Sequence, residues 1–129
     1  MRLIDLDPSL TSLPDYGSGV SSRAIELTKR RLSELAPGDL AFCLRQSMVV
    51  RHIAPLALTL VSQNPLLEAE HYPGDLLLNL EHAGQKGFLS EKELRELRDA
   101  CSGAIANAET IALEVVPSAM AFVAAHNDA

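Results

Sequence analysis

Prolines divide the centre of this chain into short segments, and they limit the folds it can form. Pro37, Pro55, Pro65 and Pro73 all fall within residues 36–77. A proline in a helix interior costs about 3 kcal/mol. In the first helical turn it costs little, because its missing N–H has no helical partner there. The pattern therefore predicts several short helices whose ends lie close to these prolines.

The composition also favours helices over a sheet. The chain has 129 residues, of which 47% are hydrophobic and only 4% aromatic, with no Trp. A core of Leu, Ala, Val and Ile suits helices, and the length suits one domain. We therefore predict an all-α fold, a compact single-domain bundle of five to six short helices (residues 21–129) after an irregular N-terminal arm (residues 1–20). The helices are expected at about 22–35, 38–47, 51–63, 73–83, 90–116 and 118–126.

Capping signals set several of these boundaries. Ser21 or Ser22 is expected to cap the first helix, because a serine hydroxyl can accept a bond from a free N–H of the first turn. Ser90 and Glu93 have the spacing of a capping box. Pro117 is expected to end the helix that this box opens.

Two further patterns make specific predictions. The tetrapeptide Pro-Gly-Asp-Leu occurs at 37–40 and again at 73–76, and we interpret it as one helix start used twice. The helix over 51–63 is expected to bury a stripe at helical spacing. Its members are Ile53, Leu56, Ala57, Leu60 and Val61.

No residue pattern is typical of a metal or cofactor site. His52, His71 and His82 form no tight pair of the kind that binds zinc, either together or with a cysteine. Cys43 and Cys101 fall on apolar positions of predicted helices, so we expect two reduced thiols in the core.

The paired acids do not indicate catalysis. Glu91 and Glu93 lie in the predicted capping box, and Glu68 and Glu70 lie in a polar loop with no apolar pocket expected beside them. Catalytic carboxylates need partly desolvated, unequal surroundings that separate their pKa values. We therefore expect no catalytic residue, and we expect that the protein is not an enzyme.

The net charge of −6, from 17 acidic and 11 basic residues, favours a basic partner. It argues against nucleic acid and anionic membranes, although basic residues do cluster at Arg23 and at 29–31. The longest apolar stretch, Ile53 to Val61, is shorter than the roughly 20 residues that span a bilayer. The N-terminus has acids where a signal peptide has positive charge. We expect a cytoplasmic location.

An acidic docking surface is the best candidate site. Glu68 and Glu70 have no evident structural duty in the loop, and Tyr72 and Asp75 follow closely. Acids beside an aromatic residue suit a basic protein partner. Asp39 is a further candidate. For Asp39 and Asp75 a favourable position at a helix start is a sufficient explanation by itself.

Several motifs occur together in a fixed order. They are D39-L-x-x-x-L-R-Q46, I53-A-P-L-A-L58, N64-P-L-L-E68 and Y72-P-G-D-L-L77. This set resembles the immunity proteins of contact-dependent growth inhibition (CDI) systems over roughly residues 22–100. The N-terminal arm and about twenty C-terminal residues match poorly.

The resemblance implies a small cytoplasmic antitoxin that is not an enzyme. Such a protein binds the C-terminal toxin domain of its own system, which is very often a nuclease, and neutralises it. A nuclease presents cations for phosphates, so an acidic inhibitor suits it electrostatically. The toxin-contact candidates are then Asp39, Glu68, Glu70, Tyr72 and Asp75, in a 1:1 complex. The alternative is an all-α adaptor or transcriptional regulator that binds another protein or DNA.

Overall fold

A computed structural model describes the backbone of residues 1–106 and 115–125 and the side chains of residues 1–105 and 119–125. In these ranges the fold is all-α, as predicted. The helices are α1 (Leu3–Leu6), α2 (Gly19–Thr28), α3 (Pro37–Arg45), α4 (Val50–Gln63), α5 (Asp75–Gln85), α6 (Glu91–Ala106) and α7 (Val115–Ala125), with 3-10 turns at Pro8–Ser12 and Leu32–Glu34. The described part has seven α-helices because the N-terminal arm contributes α1.

Helix α5 is the centre of the bundle. It contacts α3, α4, α6 and α7, and eight of its 11 residues are buried. Five of these eight are Leu or Ala, as expected for a helix that packs on nearly all sides, and the other three are the polar residues Asp75, Asn79 and Glu81. At Gly84 an added Cβ would lie 3.1 Å from a Leu94 methyl and 3.3 Å from the Phe122 ring. The glycine therefore lets α6 and α7 pack closely on α5.

The two cysteines are free and buried, which confirms the prediction of core thiols. Burial, with a smaller effect from the charge of Asp39, raises the pKa of Cys43 to about 12. The Cys101 thiol donates to Oε1 of Glu81, a fully buried acid on α5, at 3.2 Å. Burial raises the pKa of Cys101 as well. Both thiols are therefore protonated and poorly reactive at neutral pH.

The N-terminal arm is more ordered than predicted. Leu3 and Leu10 are buried, and the Leu3 N–H donates to the Arg30 carbonyl at 2.9 Å. Ser18, rather than Ser21 or Ser22, caps α2, with its hydroxyl accepting from the Ser21 N–H at 3.1 Å. The arm therefore covers α2 and carries that helix's cap.

Helix α2 ends earlier than predicted. It stops at Thr28, and Arg31 takes an extended conformation before the 3-10 turn Leu32–Glu34.

The capping box that opens α6 is confirmed: Ser90 N–H donates to Glu93 Oε1 at 3.0 Å, and Glu93 N–H donates to Ser90 Oγ at 3.2 Å.

The repeated tetrapeptide does not form the same helix start twice, so that interpretation was wrong. In the first copy Pro37 is the first helical residue, and Asp39 accepts the Ala36 N–H at 2.9 Å. In the second copy Gly74 has φ +84° and the helix begins only at Asp75. Because Gly74 is in the left-handed region, the incoming loop turns sharply and Asp75 points into the protein.

Helix α4 differs from the prediction in the face that it buries. Ile53, Ala57 and Val61 are buried as expected, Leu60 is only partly buried, and Leu56 is 40% exposed. The helix packs against α3, α5 and α6, and this wide contact rotates the buried stripe away from Leu56. Pro55 lies inside α4 on its exposed side. Because proline has no N–H, the carbonyl of Arg51, four residues earlier, has no helical donor. On this exposed side it can bond to water.

The predicted boundary at Pro117, between the fifth and the sixth helix, was also wrong. Helix α7 begins at Val115, which places Pro117 in its first turn, where proline is tolerated. The expected continuation of α6 through residues 107–114 lies outside the described residues.

The turn between α3 and α4 contains two non-glycine residues with positive φ, Ser47 at +56° and Val49 at +43°. The Met48 N–H between them donates to the Cys43 carbonyl at 2.8 Å, and the Met48 side chain is buried. This arrangement ends α3 in the manner of a Schellman motif, in which glycine is the usual left-handed residue. Ser47 therefore adopts a conformation that glycine would adopt at lower cost.

We expect Ser47→Gly to raise the free energy of unfolding by about 0.5–1 kcal/mol, because Ser47 is exposed and has positive φ. Urea unfolding followed by circular dichroism would measure it. The control Ser62→Gly, at an exposed position inside α4, should lower the free energy of unfolding by about 0.5–1 kcal/mol. A loss of stability in both variants would contradict this account of the turn.

Candidate functional site

The segment 66–74, which we name the acidic loop, connects α4 to α5 and is held by one carboxylate. The Asp75 side chain is buried, with only 2% of the residue exposed. Its Oδ1 accepts the N–H of Ala69 at 2.7 Å and of Leu76 at 2.8 Å. Its Oδ2 accepts the N–H of Glu70 at 2.9 Å and of His71 at 2.8 Å. The loop is thus folded around a single acid at the N-terminus of α5.

These bonds decide the ionisation state of Asp75. Burial by itself would raise the pKa of this carboxyl, but the backbone donors from His71, Ala69, Glu70 and Leu76 outweigh it, and the pKa lies below its ordinary value. The charged form is favoured because four dipoles point at it from fixed positions. Asp75 is therefore an anion at neutral pH, and its charge is used inside the protein.

Glu70 is neutralised by two arginines from other helices. Its Oε2 lies 2.9 Å from Nη2 of Arg45 on α3, and its Oε1 pairs with Nη1 of Arg23 on α2. The second guanidinium nitrogen of Arg23 lies 3.3 Å from Oδ1 of Asp39. Burial opposes the charge on Glu70, but the bonds from Arg45 and Arg23 lower the pKa of Glu70 overall.

The two arginines lie over the buried ring of Phe42. The Arg23 guanidinium carbon is 4.5 Å from the ring centroid, and that of Arg45 is 5.9 Å away. These distances suit cation–π attraction. We name Arg23, Asp39, Arg45 and Glu70, with Phe42 beneath them, the arginine latch. It ties α2, α3 and the acidic loop together.

The structure separates the five sequence-predicted candidates. Asp75 is buried, so its expected exposure was wrong. Glu70 and Asp39 belong to the arginine latch, so the view that Glu70 has no structural duty was also wrong. Tyr72 is half-buried and packs against the core. Glu68 is exposed. Contact of any of the five with a partner stays a prediction.

Sequence reasoning missed the arginines of the latch. Arg23 is 47 residues and Arg45 is 25 residues from Glu70 in sequence, and no local spacing signals such a distant pair.

Sequence reasoning also missed the exposed face of α4. A signal for that face was present, because residues 52–67 contain no Asp, Glu, Lys or Arg.

The described residues hold no group of three or more His, Cys, Asp or Glu that could bind a metal ion. Within the same residues, every helix is too short or too polar to cross a lipid bilayer.

A comparison with protein-family models identifies the chain. The model of CDI immunity proteins matches residues 6–97. The chain belongs to the family of CDI immunity proteins. The match includes all five candidate residues, and it begins inside the N-terminal arm, which the sequence motifs alone matched poorly. No curated protein and no solved structure matches this immunity protein.

We expect Asp75→Asn to lower the free energy of unfolding of this CDI immunity protein by about 3 kcal/mol at pH 7. The amide replaces a charged acceptor of four backbone donors, and its own N–H groups would face some of those donors. Urea unfolding would measure the loss. Asp39→Asn, at the equivalent position of the other tetrapeptide, should cost only about 1 kcal/mol, because Asp39 accepts one backbone N–H, that of Ala36, where Asp75 accepts four.

Asp75→Asn also tests how the stability that Asp75 contributes depends on pH. The folded pKa of Asp75 is lowered, so its stabilisation is complete above the unfolded value of roughly 3.9 and is lost as pH falls through the folded pKa. The difference in stability between wild type and Asp75→Asn should therefore shrink below about pH 4. A difference that stays constant from pH 7 to pH 3 would contradict the role assigned to Asp75.

Proposed function

We propose that this protein binds the cognate C-terminal toxin domain of its CDI system in the cytoplasm and blocks it by occupying its surface. The match to CDI immunity proteins over residues 6–97 is the observation that carries the proposal. The complex is 1:1, and the protein performs no catalysis of its own.

We further propose that the toxin is a nuclease with a basic substrate cleft. The net charge of −6 supports this, since an inhibitor of that sign is attracted to a cleft that binds phosphates. Attraction over a distance speeds the encounter, and a desolvated contact slows release. The alternative, an adaptor or regulator of another pathway, predicts no binding to such a toxin domain and no toxin gene directly upstream.

The acidic loop contributes to this contact mainly through Glu68. Glu68 is exposed, whereas the carboxylates of Glu70 and Asp39 are only 22% and 21% exposed and already face arginine. Tyr72, which is half-buried, contributes a smaller part of the contact. Asp75 acts indirectly, because it fixes the shape of the loop that carries Glu68.

The direct test is co-expression with the C-terminal domain encoded immediately upstream. We expect growth to be rescued and the two proteins to co-purify in equal amounts. The toxin domain's hydrolysis of RNA and DNA, measured with and without the immunity protein, identifies the activity that is blocked. Lack of rescue with a soluble immunity protein would refute the proposal, and equal rescue by an unrelated immunity protein would refute its specificity.

We expect Glu68→Lys to lower the association rate about threefold or more at low salt and to weaken its salt dependence, because it removes one attractive charge and adds a repulsive one. Stopped-flow or surface plasmon resonance would measure the rate. Glu26→Lys, the same charge change on exposed α2, is the matched control and should have a smaller effect. Equal effects of the two variants would show that total charge, and not the acidic loop, steers the encounter.

A further inference from the structure

We propose that the toxin domain docks on the exposed face of α4, with uncharged side chains at the centre of the contact and acidic side chains at one end. This inference rests on the proposed function and specifies the surface that performs it. It assigns the central contact to a helix face that none of the five sequence candidates lies on.

The exposed face of α4 is unusually poor in charge. Seven side chains of the helix are exposed: Arg51, His52, Pro55, Leu56, Thr59, Ser62 and Gln63. Arg51 is the only Asp, Glu, Lys or Arg among these seven, whereas four of the five exposed residues within 91–105 of α6 are charged. A helix face that meets only water normally carries charged residues. Depletion of charge together with apolar exposure is typical of the centre of a protein interface.

Two large apolar side chains are exposed on or beside this face. Leu56 lies in the middle of α4 and is 40% exposed, and Phe88 is 44% exposed. Phe88 lines a groove of about 320 Å³ together with Val49, Val50 and His52 at the start of α4, and the charged residues Asp7 and Arg51 also line it. An aromatic residue at a groove is a typical anchor for a partner side chain. The apolar part of the proposed contact therefore runs from Phe88 to Leu56.

The other end of α4 is negative. A groove of about 390 Å³ lies between α4 and α6, lined by Ser62, Gln63, Pro65, Glu96 and Asp99, with Ala100 and Gly103. The last carbonyls of α4 point toward this end, and the last turn of α4 has no basic residue to offset them. Asp99 lies 3.9 Å from Nη2 of Arg98, but this long contact leaves the Asp99 side chain 78% exposed. Beside the C-terminus of α4, Asp99 and Glu96 therefore favour a cation from a partner.

These features select a basic protein as the occupant. Helix α4 has 14 residues and is about 21 Å long. Its face can therefore form the centre of a contact of ordinary size, about 800 Å² on each partner. The basic rim of a nuclease cleft would place cations at Glu96 and Asp99 while apolar toxin residues meet Leu56 and Phe88. A second copy of the chain is the competing occupant, because its Arg51 end could meet the acidic end.

The test uses Thr59→Lys, a charge placed in the middle of the face. Thr59 is exposed, and its hydroxyl only bonds back to the Pro55 carbonyl at 3.0 Å, so lysine should be accepted by the helix. The matched control is Ser22→Lys, the same change of charge at an exposed position of α2. The probe is the fluorescently labelled C-terminal domain encoded immediately upstream, titrated with each full-length protein.

We expect Thr59→Lys to raise the Kd at least about 30-fold and Ser22→Lys to change it less than about threefold. Circular dichroism and thermal unfolding check that both variants are folded. If Thr59→Lys unfolds, Leu56→Gln replaces it, with the same expected direction. A variant on α4 that binds as tightly as wild type overturns the inference, and so does an equal loss in Ser22→Lys.

Failure of this inference and failure of the proposed function give different results. If wild type does not bind the toxin domain at all, the proposed function fails and the inference fails with it. If wild type binds and the α4 variants bind equally well, only the inference fails. Light scattering of each protein alone tests the competing occupant: a wild-type dimer that Thr59→Lys converts to monomer would assign the face to a second copy.

Discussion

The placement of α5 depends on how its first residue is bonded. Asp75 lies at the point where the acidic loop meets the central helix, and its carboxylate accepts backbone N–H groups from both. If this charge were lost, four backbone donors, one buried and three partly buried, would lose a charged acceptor, and both the loop and the helix would be destabilised. Helix α5 contacts α3, α4, α6 and α7. A shift in the position of its first turn would therefore disturb its packing against all four helices.

Charge in the sequence and charge on the surface are different quantities in this protein. Residues 64–85 contain four acids, Glu68, Glu70, Asp75 and Glu81, and no Lys or Arg. Asp75 and Glu81 are buried, and Glu70 is paired with two arginines. The acidic loop therefore presents far less negative potential than its sequence suggests. Net charge alone would therefore assign the attraction for a basic partner to acids whose charges are already used inside the protein.

The proposed docking face follows from the same distinction. Half-burial of α4 against three helices leaves a face where apolar side chains meet solvent with one basic neighbour, Arg51. Exposed apolar side chains of this kind favour association when they adjoin one another on a surface. In an immunity protein such a face has a use, since tight binding needs a centre from which water and unpaired charge are excluded. The acids at the end of α4 then supply attraction at the rim.

The sequence by itself determined the all-α class, the short helices, the buried thiols and the capping box at Ser90, because each of these depends on neighbours within a few residues. Its ordered motifs also indicated the family, which the match over residues 6–97 established. Tertiary structure alone decided that Gly74 turns Asp75 inward, that Arg23 and Arg45 neutralise Glu70, and that Leu56 faces solvent. The reason is physical: burial and ion pairing depend on contacts between segments that are far apart in the chain, 25 and 47 residues for the two ion pairs of Glu70. A local sequence pattern does not show which distant side chain will make such a contact.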